Sequence, residues 1–293
     1  MSHRNHAQQL RILLQQGQLV RMPCAYDGIS ARIAQSVGFP AVSFSGNAVS
    51  ASLLGLPDIG VMTLTENVTH AGRIASNLNI PMICDADTGY GGVMNMMRTV
   101  REFEAAGIAG IHIEDQVTPK RCGLLPQGIP VISQEEACQK FKAAAYARID
   151  PNFLLIARTD AKSMHGLENA AQRARAYVHA GADAVIVMGA NTLEELRYVA
   201  DVVQAPLVVV IQEAGPTIAL TNDDLTSVGC VFALHAGVAR YAAVKALQDA
   251  FQALRQDSHT RSVSDRIASF EQYNQVLGLN DWLALEHQFT ADK

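Results

Sequence analysis

Short apolar runs alternate with longer amphipathic stretches along the whole chain, without a low-complexity segment or a long linker. The runs are rich in Val, Ile and Ala and predict eight strands, at 22–27, 41–46, 82–87, 110–115, 154–159, 184–189, 206–211 and 228–234. The stretches between them predict helices, among them 63–78, 95–107, 133–149, 167–181 and 191–203. Eight strands that are apolar on both faces, each followed by a helix, favour a closed (β/α)8 TIM barrel over an open doubly wound sheet.

The length and composition are compatible with one large barrel and a helical tail. The chain has 293 residues, of which 49% are hydrophobic, and this is enough to bury a large core. We assign residues 1–257 to the barrel and residues 258–293 to a C-terminal helical extension. The extension contains amphipathic helices that are too apolar to remain free in solvent, so we expect it to take part in oligomerisation.

The charge and the hydropathy of the chain exclude two classes of partner. A net charge of -5 and an isoelectric point near 6.0 give no basic surface for nucleic acid. No apolar run approaches the roughly 18 residues that cross a bilayer, and the first residues are polar, so we expect no membrane insertion. These features favour a cytoplasmic protein.

The five cysteines are odd in number, lie far apart and form no CxxC pair. This spacing argues against both a disulfide framework and a zinc site. Cys24, Cys84, Cys138 and Cys230 lie within strand or helix patterns, and we expect them to be small core residues. Cys122 lies outside these patterns and remains a candidate for chemistry.

Polar residues collect where the predicted strands end. They are Asp27 after the first strand, Ser45 and Gly46 after the second, Asp85 and Asp87 after the third, Glu114 and Asp115 after the fourth, and Arg158 and Asp160 after the fifth. Active sites of barrels of this type form at the C-terminal ends of the strands. The sequence therefore predicts an active site on this rim.

Asp85 and Asp87 lie two residues apart in the stretch ICDADTGYGG. Residues at this spacing in a strand share a face, so their carboxylates would repel each other unless a cation lies between them. The alternative is a solvated turn in which each Asp binds nearby backbone groups. Oxygen ligands without His or Cys select a hard cation such as Mg2+, which keeps several waters and uses one or two carboxylates.

Four motifs, DADTGYGG, GIHIEDQ, PKRCG and IARTDA, occur in an order and spacing that resemble the isocitrate lyase and phosphoenolpyruvate mutase superfamily. The resemblance is closest to its methylisocitrate lyase and dimethylmalate lyase branch and extends from YDGISARIA, at residues 26–34, to about Arg240. It implies a (β/α)8 barrel that exchanges a C-terminal helix between subunits and forms a homotetramer. It also implies a small 2-oxo or 2-hydroxy acid as substrate and Mg2+ as cofactor, with Mn2+ as a possible substitute.

The resemblance assigns roles to individual residues. It places Mg2+ near Asp58, Asp85, Asp87 and Glu114, and we expect Asp58 and Asp87 to be its direct ligands. It assigns the pyruvate-like half of the substrate to Ser45, Gly46 and Arg158. The residues we expect to bind substrate are Ser45, Gly46, Asp87, Gly123 and Arg158, and those we expect to act in catalysis are Lys120, Cys122 and Arg158.

Cys122 lies in the stretch PKRCGLLPQG, at residues 119–128. The lyases of the superfamily carry a mobile loop with a similar pattern, in which the cysteine is the catalytic acid. The neighbouring cations Lys120 and Arg121 favour the thiolate, and this suits a group that must give up a proton near neutral pH. The alternative is an ordinary surface thiol in a basic turn.

Four family positions that contact the second half of the substrate differ here. The family histidine, glutamate, asparagine and arginine fall on Leu124, Met188, Val210 and Tyr241. Arg240 is one place from the arginine position, and we expect it not to point the same way. The pocket wall should therefore favour methyl groups over a further carboxylate, and isocitrate and methylisocitrate should be poor substrates. His235 could supply one polar contact there.

The sequence therefore predicts a Mg2+-dependent carbon–carbon lyase. Its substrate would be an alkylmalate or methylisocitrate-like 2-hydroxy acid, cleaved to pyruvate, or a related 2-oxo acid, and a carboxylate. The main alternative is an oxaloacetate decarboxylase or hydrolase, which the segments MGAN (188–191) and GVARYAAVKA (237–246) resemble. A phosphonomutase resembling carboxyvinyl-carboxyphosphonate phosphorylmutase and a non-catalytic binding protein are further alternatives.

Overall fold

The strands form one closed parallel barrel, in which β1 pairs with both β2 and β8. The computed structural model describes residues 5–123 and 128–290. The strands are β1 (Val20–Ala25), β2 (Val42–Phe44), β3 (Met82–Asp85), β4 (Gly110–Glu114), β5 (Leu154–Thr159), β6 (Ala184–Val187), β7 (Leu207–Ile211) and β8 (Cys230–His235). The eight predicted strands and the predicted (β/α)8 architecture are confirmed.

Helices follow every strand and surround the barrel. They are α1 (His6–Gln16), α2 (Gly28–Val37), α3 (Gly46–Val49), α4 (Leu64–Ala75), α5 (Val93–Ala105), α6 (Gln134–Ala147), α7 (Lys162–His179), α8 (Leu193–Val203), α9 (Asn222–Ser227), α10 (Val238–Asp257), α11 (Phe270–Leu277) and α12 (Leu279–Thr290). A π-helical turn at Ser50–Leu54 extends α3 and leads to Asp58. Gly166, with a φ of 81°, interrupts α7, so the predicted helix 167–181 matches its second part.

The apolar core has two parts. One lies between the strands and the surrounding helices, and the other lies inside the barrel, where it includes Met22, Ile83 and Phe232. Leu10 and Leu14 of α1 join the inner cluster, and α1 packs against β5 and β8. Because apolar side chains fill the barrel interior, polar chemistry is confined to the strand ends.

The three C-terminal helices differ from the helices around the barrel. α10, α11 and α12 contain no buried residue, although large apolar side chains lie along them. Phe270 is 82% exposed and Phe289 is 76% exposed. None of the helices in the described part of the chain has the length and apolar content required to cross a membrane.

Candidate active site

A cavity of about 80 Å3 opens at the C-terminal ends of the barrel strands. Its lining comprises Cys24, Ser43, Phe44, Ser45, Asn47, Asp58, Asp85, His112, Lys120, Arg121, Cys122, Gly123, Arg158, Met188, Val210, Leu234, Ala236 and Arg240. Seven of these are predicted site residues, namely Ser45, Asp58, Asp85, Lys120, Cys122, Gly123 and Arg158. The other three, Gly46, Asp87 and Glu114, lie against members of the lining, as described below.

Lys120 joins two of the predicted metal ligands. Its Nζ lies 2.6 Å from Oδ1 of Asp58 and 2.8 Å from Oδ1 of Asp87, and all three side chains are buried. Burial opposes the charged form of Lys120, but the surrounding carboxylates outweigh burial and raise its pKa well above the usual value. The ammonium is therefore a fixed positive charge between Asp58 and Asp87.

Arg158 is held on two sides by carboxylates. Glu114 on β4 and Arg158 on β5 are partners in the sheet register, and Nη1 of Arg158 lies 3.0 Å from Oε2 of Glu114. Nε and Nη2 of Arg158 each donate to Asp160 at 2.9 Å. These contacts fix the plane of the guanidinium at the cavity wall. The sequence placed Asp160 on the rim but did not indicate that it orients Arg158.

Asp85 projects from the end of β3 into closely packed surroundings. A Cβ on Gly46 would stand 2.6 Å from Oδ2 of Asp85, so only glycine fits at position 46. Nδ1 of His112 lies 3.6 Å from Oδ1 of Asp85, and burial lowers the pKa of His112, which favours its neutral form at pH 7. His112 was not identified as a site residue from the sequence, although it is two residues before Glu114 on β4 and therefore on the same face of the sheet.

The four predicted metal ligands lie on one rim but do not form a ready-made cluster. In residues 5–123 and 128–290, no three side chains of His, Cys, Asp or Glu are grouped closely enough to hold a metal ion. Two of the four carboxylates contact Lys120, and Glu114 contacts Arg158. The predicted direct ligands Asp58 and Asp87 are thus already paired with an ammonium group.

The rim nevertheless suits a hard divalent cation in donor type and charge. The carboxylates of Asp58, Asp85, Asp87 and Glu114 offer oxygen only, which is the donor preferred by Mg2+. Oε1 of Glu114 is buried and has no hydrogen-bond partner in the described part of the chain. Burial raises the pKa of Asp87 to about 6 and that of Glu114 well above its usual value, because removal from water opposes the charged form of both carboxyl groups.

Cys122 is half-buried, and its backbone N–H donates to the carbonyl of Asp58 at 3.2 Å. Two cations precede Cys122. Lys120 is held by carboxylates, and Nη1 of Arg121 donates to the carbonyl of Ile59 at 2.7 Å. Both cations expected to favour the thiolate therefore have other partners. The predicted contact at Leu124 lies outside the described residues.

Apolar side chains also line the cavity, among them Met188, Val210 and Leu234. Cys24 lines the cavity as well as being buried, and burial raises the pKa of its thiol to about 12. Cys84 and Cys230 are buried core residues, as expected, and Cys138 is half-buried on α6.

Arg240 also lines the cavity. Its Nη1 donates to Oδ1 of Asn47, and its Cζ lies 4.7 Å from the centre of the Tyr241 ring. The first turn of α10 is thus oriented so that Arg240, and not Tyr241, contributes to this lining. Nδ1 of His235 instead lies 3.2 Å from Oε1 of Glu213, outside the lining.

Two acids predicted on the rim have structural partners instead. Asp27 caps α2, where its side chain accepts from the N–H of Ser30 at 2.7 Å. Asp115 points away from the cavity, and its Oδ2 accepts from Thr159 Oγ1 and from the Tyr177 hydroxyl, both at 2.7 Å. The site therefore uses fewer carboxylates than the sequence pattern indicated.

Comparison with known proteins places this site in a described group of enzymes. The family profile of phosphoenolpyruvate phosphomutase matches residues 10–255. A 2,3-dimethylmalate lyase from Eubacterium barkeri is 37% identical over 289 residues, which cover 99% of this chain and 100% of that protein.

Solved structures agree with this comparison. An oxaloacetate acetylhydrolase in complex with 3,3-difluorooxalacetate has a TM-score of 0.92 at 32% identity, covering 97% of both chains. A phosphonopyruvate hydrolase in complex with oxalate and Mg2+ has a TM-score of 0.87 at 30% identity, covering 97% of this chain and 99% of that one. The chain belongs to the isocitrate lyase and phosphoenolpyruvate mutase superfamily.

Proposed function

We propose that this protein is a Mg2+-dependent carbon–carbon lyase for a small alkyl-substituted malate. The products would be pyruvate, or a related 2-oxo acid, and a carboxylate. The observation that carries the proposal is the composition of the cavity lining, which combines acids and cations, including Asp85, Lys120 and Arg158, with apolar side chains at Met188 and Val210. The similarity to a 2,3-dimethylmalate lyase supports it.

Asp58, Asp85, Asp87 and Glu114 are the residues that would hold Mg2+. When bound, Mg2+ polarises the hydroxyl and carboxylate oxygens of a 2-hydroxy acid and stabilises the charge that develops on them. The complex of a related hydrolase with oxalate and Mg2+ supports this assignment. Lys120, whose Nζ lies between Asp58 and Asp87, adds a further positive charge beside the reacting oxygens.

The remaining steps are assigned to the chain's own residues. Ser45, Gly46 and Arg158 orient the carboxylate of the half that becomes the 2-oxo acid. As the C2 hydroxyl gives its proton to water or a rim carboxylate and becomes the carbonyl, the C2–C3 bond breaks and its electron pair stays on the departing carbon. The Sγ–H of Cys122 then gives this carbon its proton. The segment 120–123 lines the cavity, and with substrate bound it limits the access of water that would otherwise protonate the carbanion without control.

Pyruvate release from a series of malates tests the proposal. Each well-placed methyl group on malate should raise kcat/KM by roughly 10- to 200-fold, because the wall at Met188 and Val210 is apolar. EDTA should abolish turnover, and Mg2+ or Mn2+ should restore it. If methylisocitrate were the best substrate, or if activity persisted in EDTA, the proposal would be wrong.

The second candidate is decarboxylation or hydrolysis of oxaloacetate, which the similarity to an oxaloacetate acetylhydrolase favours. The variant Cys122→Ser separates the two reactions. It should lower lyase turnover by several orders of magnitude and leave oxaloacetate decarboxylation nearly intact, because the enolate left by decarboxylation takes its proton from water. Cys138→Ser, on α6 and outside the cavity, is the matched control.

We further propose that the chain forms a homotetramer through residues 258–293. The exposed apolar side chains of α11 and α12 support this, because a stable monomer rarely leaves so many large apolar groups in solvent. The absence of buried residues on α10 agrees with a helix that awaits a partner subunit.

A further inference from the structure

The segment 85–90 carries two of the four proposed Mg2+ ligands in an unusual backbone conformation. Asp87 has a φ of 47° and Tyr90 has a φ of 59°, and both values lie in the left-handed region that is uncommon for residues other than glycine. Such a conformation is unfavourable and persists only where the surrounding structure holds it. The position of Asp87 therefore depends on contacts that fix this segment.

Five consecutive carbonyl groups of the segment, at residues 85–89, each accept a hydrogen bond. Two of them accept from the backbone. The carbonyl of Ala86 accepts from the N–H of Gly89, and the carbonyl of Asp87 accepts from the N–H of Glu114, both at 2.9 Å. The other three accept from side chains that lie outside the segment.

Two of these side chains are neutral and lie on α4 and α5. Nδ2 of Asn67 donates to the carbonyl of Asp85 at 2.9 Å and to the hydroxyl of Tyr90 at 2.6 Å. One amide group thus connects the first and last residues of the segment. Oγ1 of Thr99 donates to the carbonyl of Gly89 at 3.1 Å. Both donors are completely buried.

The third side chain is the ammonium group of Lys140 on α6. Its Nζ donates to the carbonyl of Thr88 at 2.6 Å, and only 6% of the residue is exposed. In the described part of the chain, no carboxylate lies within 4.0 Å of this Nζ. Burial lowers the pKa of Lys140, so the ammonium is held here at a cost in solvation. A cost of this kind indicates a role beyond packing.

The three donors stand out among the residues that their helices bury. α4, α5 and α6 are described in full, and in each of them the buried residues are apolar except for one. The exceptions are Asn67, Thr99 and Lys140. An apolar side chain at any of these positions would extend the core, so packing against the barrel does not explain the polar groups. Their hydrogen bonds to segment 85–90 account for them.

We propose that Asn67, Thr99 and Lys140 are positioning residues for the divalent cation, which fix the carbonyls of segment 85–90 and thereby the carboxylates of Asp85 and Asp87. This inference rests on the proposed function, which assigns both carboxylates to Mg2+. The three residues act through the backbone and not by binding the cation. Groups that orient metal ligands in this way typically contribute roughly 10- to 100-fold to metal affinity.

Binding of Mn2+, measured by the loss of the EPR signal of the free ion, tests the inference without turnover. Lys140→Met removes the ammonium but keeps a long side chain, and it should weaken Mn2+ binding by roughly 10- to 100-fold. Lys140→Arg, which retains a cationic donor, should lose less. Thr99→Val removes one hydroxyl and keeps the shape of the side chain, and it should weaken binding by about 3- to 10-fold.

Thr217→Val is the matched control for Thr99→Val. Thr217 is buried, and its Oγ1 donates to the carbonyl of Val210 at 3.1 Å, the same distance as in the bond of Thr99. It follows β7, which lies opposite β3 in the barrel order. Thr217→Val can lower the melting temperature but should leave the affinity for Mn2+ unchanged, which separates positioning of the cation from a general loss of stability.

Two results would overturn the inference alone. One is a wild-type affinity for Mn2+ in both Lys140→Met and Thr99→Val, and the other is an equal loss in Thr99→Val and Thr217→Val. If Lys140→Met did not fold, the comparison of the two threonine variants would decide. A wild-type protein that failed to bind Mn2+ would instead contradict the proposed function itself.

Discussion

Gly123 lies directly against the guanidinium of Arg158. A Cβ on Gly123 would stand 2.6 Å from Nη2 of Arg158 and 2.7 Å from Oδ1 of Asp160. Because Arg158 is fixed by ion pairs, we expect the segment around Cys122 to move in Gly123→Ala, and kcat/KM to fall by at least about tenfold. Steady-state kinetics on the best malate substrate would measure this.

Gly92→Ala is the matched control for this prediction. Gly92 has a φ of -78°, which alanine adopts freely, and a Cβ there meets no atom within 4 Å. Both variants should retain the wild-type melting temperature. Full activity in Gly123→Ala would show that the segment covering Arg158 is looser than its packing indicates.

The pKa of Asp87 predicts how Mg2+ binding depends on pH. Burial raises this pKa to about 6, so in the metal-free protein Asp87 contributes stability below its unfolded pKa of about 4, and this stability is lost as the pH rises through 6. Mg2+ needs the ionised carboxylate of Asp87, so the affinity of the protein for Mg2+ should rise as the pH rises. We expect about tenfold weaker Mg2+ binding at about pH 5 than at about pH 7.5.

Calorimetric titration of Mg2+ at both pH values would measure this change. Asp87→Asn, which cannot titrate, should bind Mg2+ weakly at both. A wild-type affinity that did not change between the two pH values would contradict a role for Asp87 as a ligand.

The buried contact between Tyr177 and Asp115 predicts a loss of stability. Tyr177→Phe removes a hydroxyl that donates to Oδ2 of Asp115 at 2.7 Å and leaves that carboxylate one donor short. We expect the free energy of unfolding to fall by about 1–3 kcal/mol. Chemical denaturation would measure the loss, and Tyr146→Phe, at an exposed position on α6, should have no effect.

The exposed apolar helices predict the state of assembly. Light scattering at micromolar concentration should give the mass of four 31.5 kDa chains. Phe289→Glu, on α12, should shift the protein towards smaller species, because it places a charge in the proposed interface. Tyr146→Glu introduces the same charge on α6 and should leave the tetramer unchanged. A wild-type monomer would contradict the proposed role of residues 258–293.

Much of the fold followed from the sequence because strand burial and helix periodicity are local signals. The eight strands were predicted to within about two residues at most ends, and the acids at the strand ends followed from them. The orientation of Asp115 could have been predicted as well, since it directly follows Glu114 and successive residues near a strand end point to opposite faces.

The partners of individual side chains could not be predicted in this way. Whether Arg240 or Tyr241 lines the cavity depends on how α10 is rotated against the barrel, and each residue turns the helix by 100°. The position of Lys120 between Asp58 and Asp87 depends on how three separate loops pack together. Periodicity within one segment contains no information on either arrangement.

The pairing of Glu114 with Arg158 in the register of β4 and β5 has a consequence for how the site tolerates change. The backbone hydrogen bonds that close the barrel also set this ion pair, and a slip of one residue would turn either side chain to the other face of the sheet. The ion pair of Arg158 with Glu114 is therefore retained as long as the barrel remains folded. Arg240 lies on a helix after the last strand, so a substitution there would leave the register of the sheet unchanged.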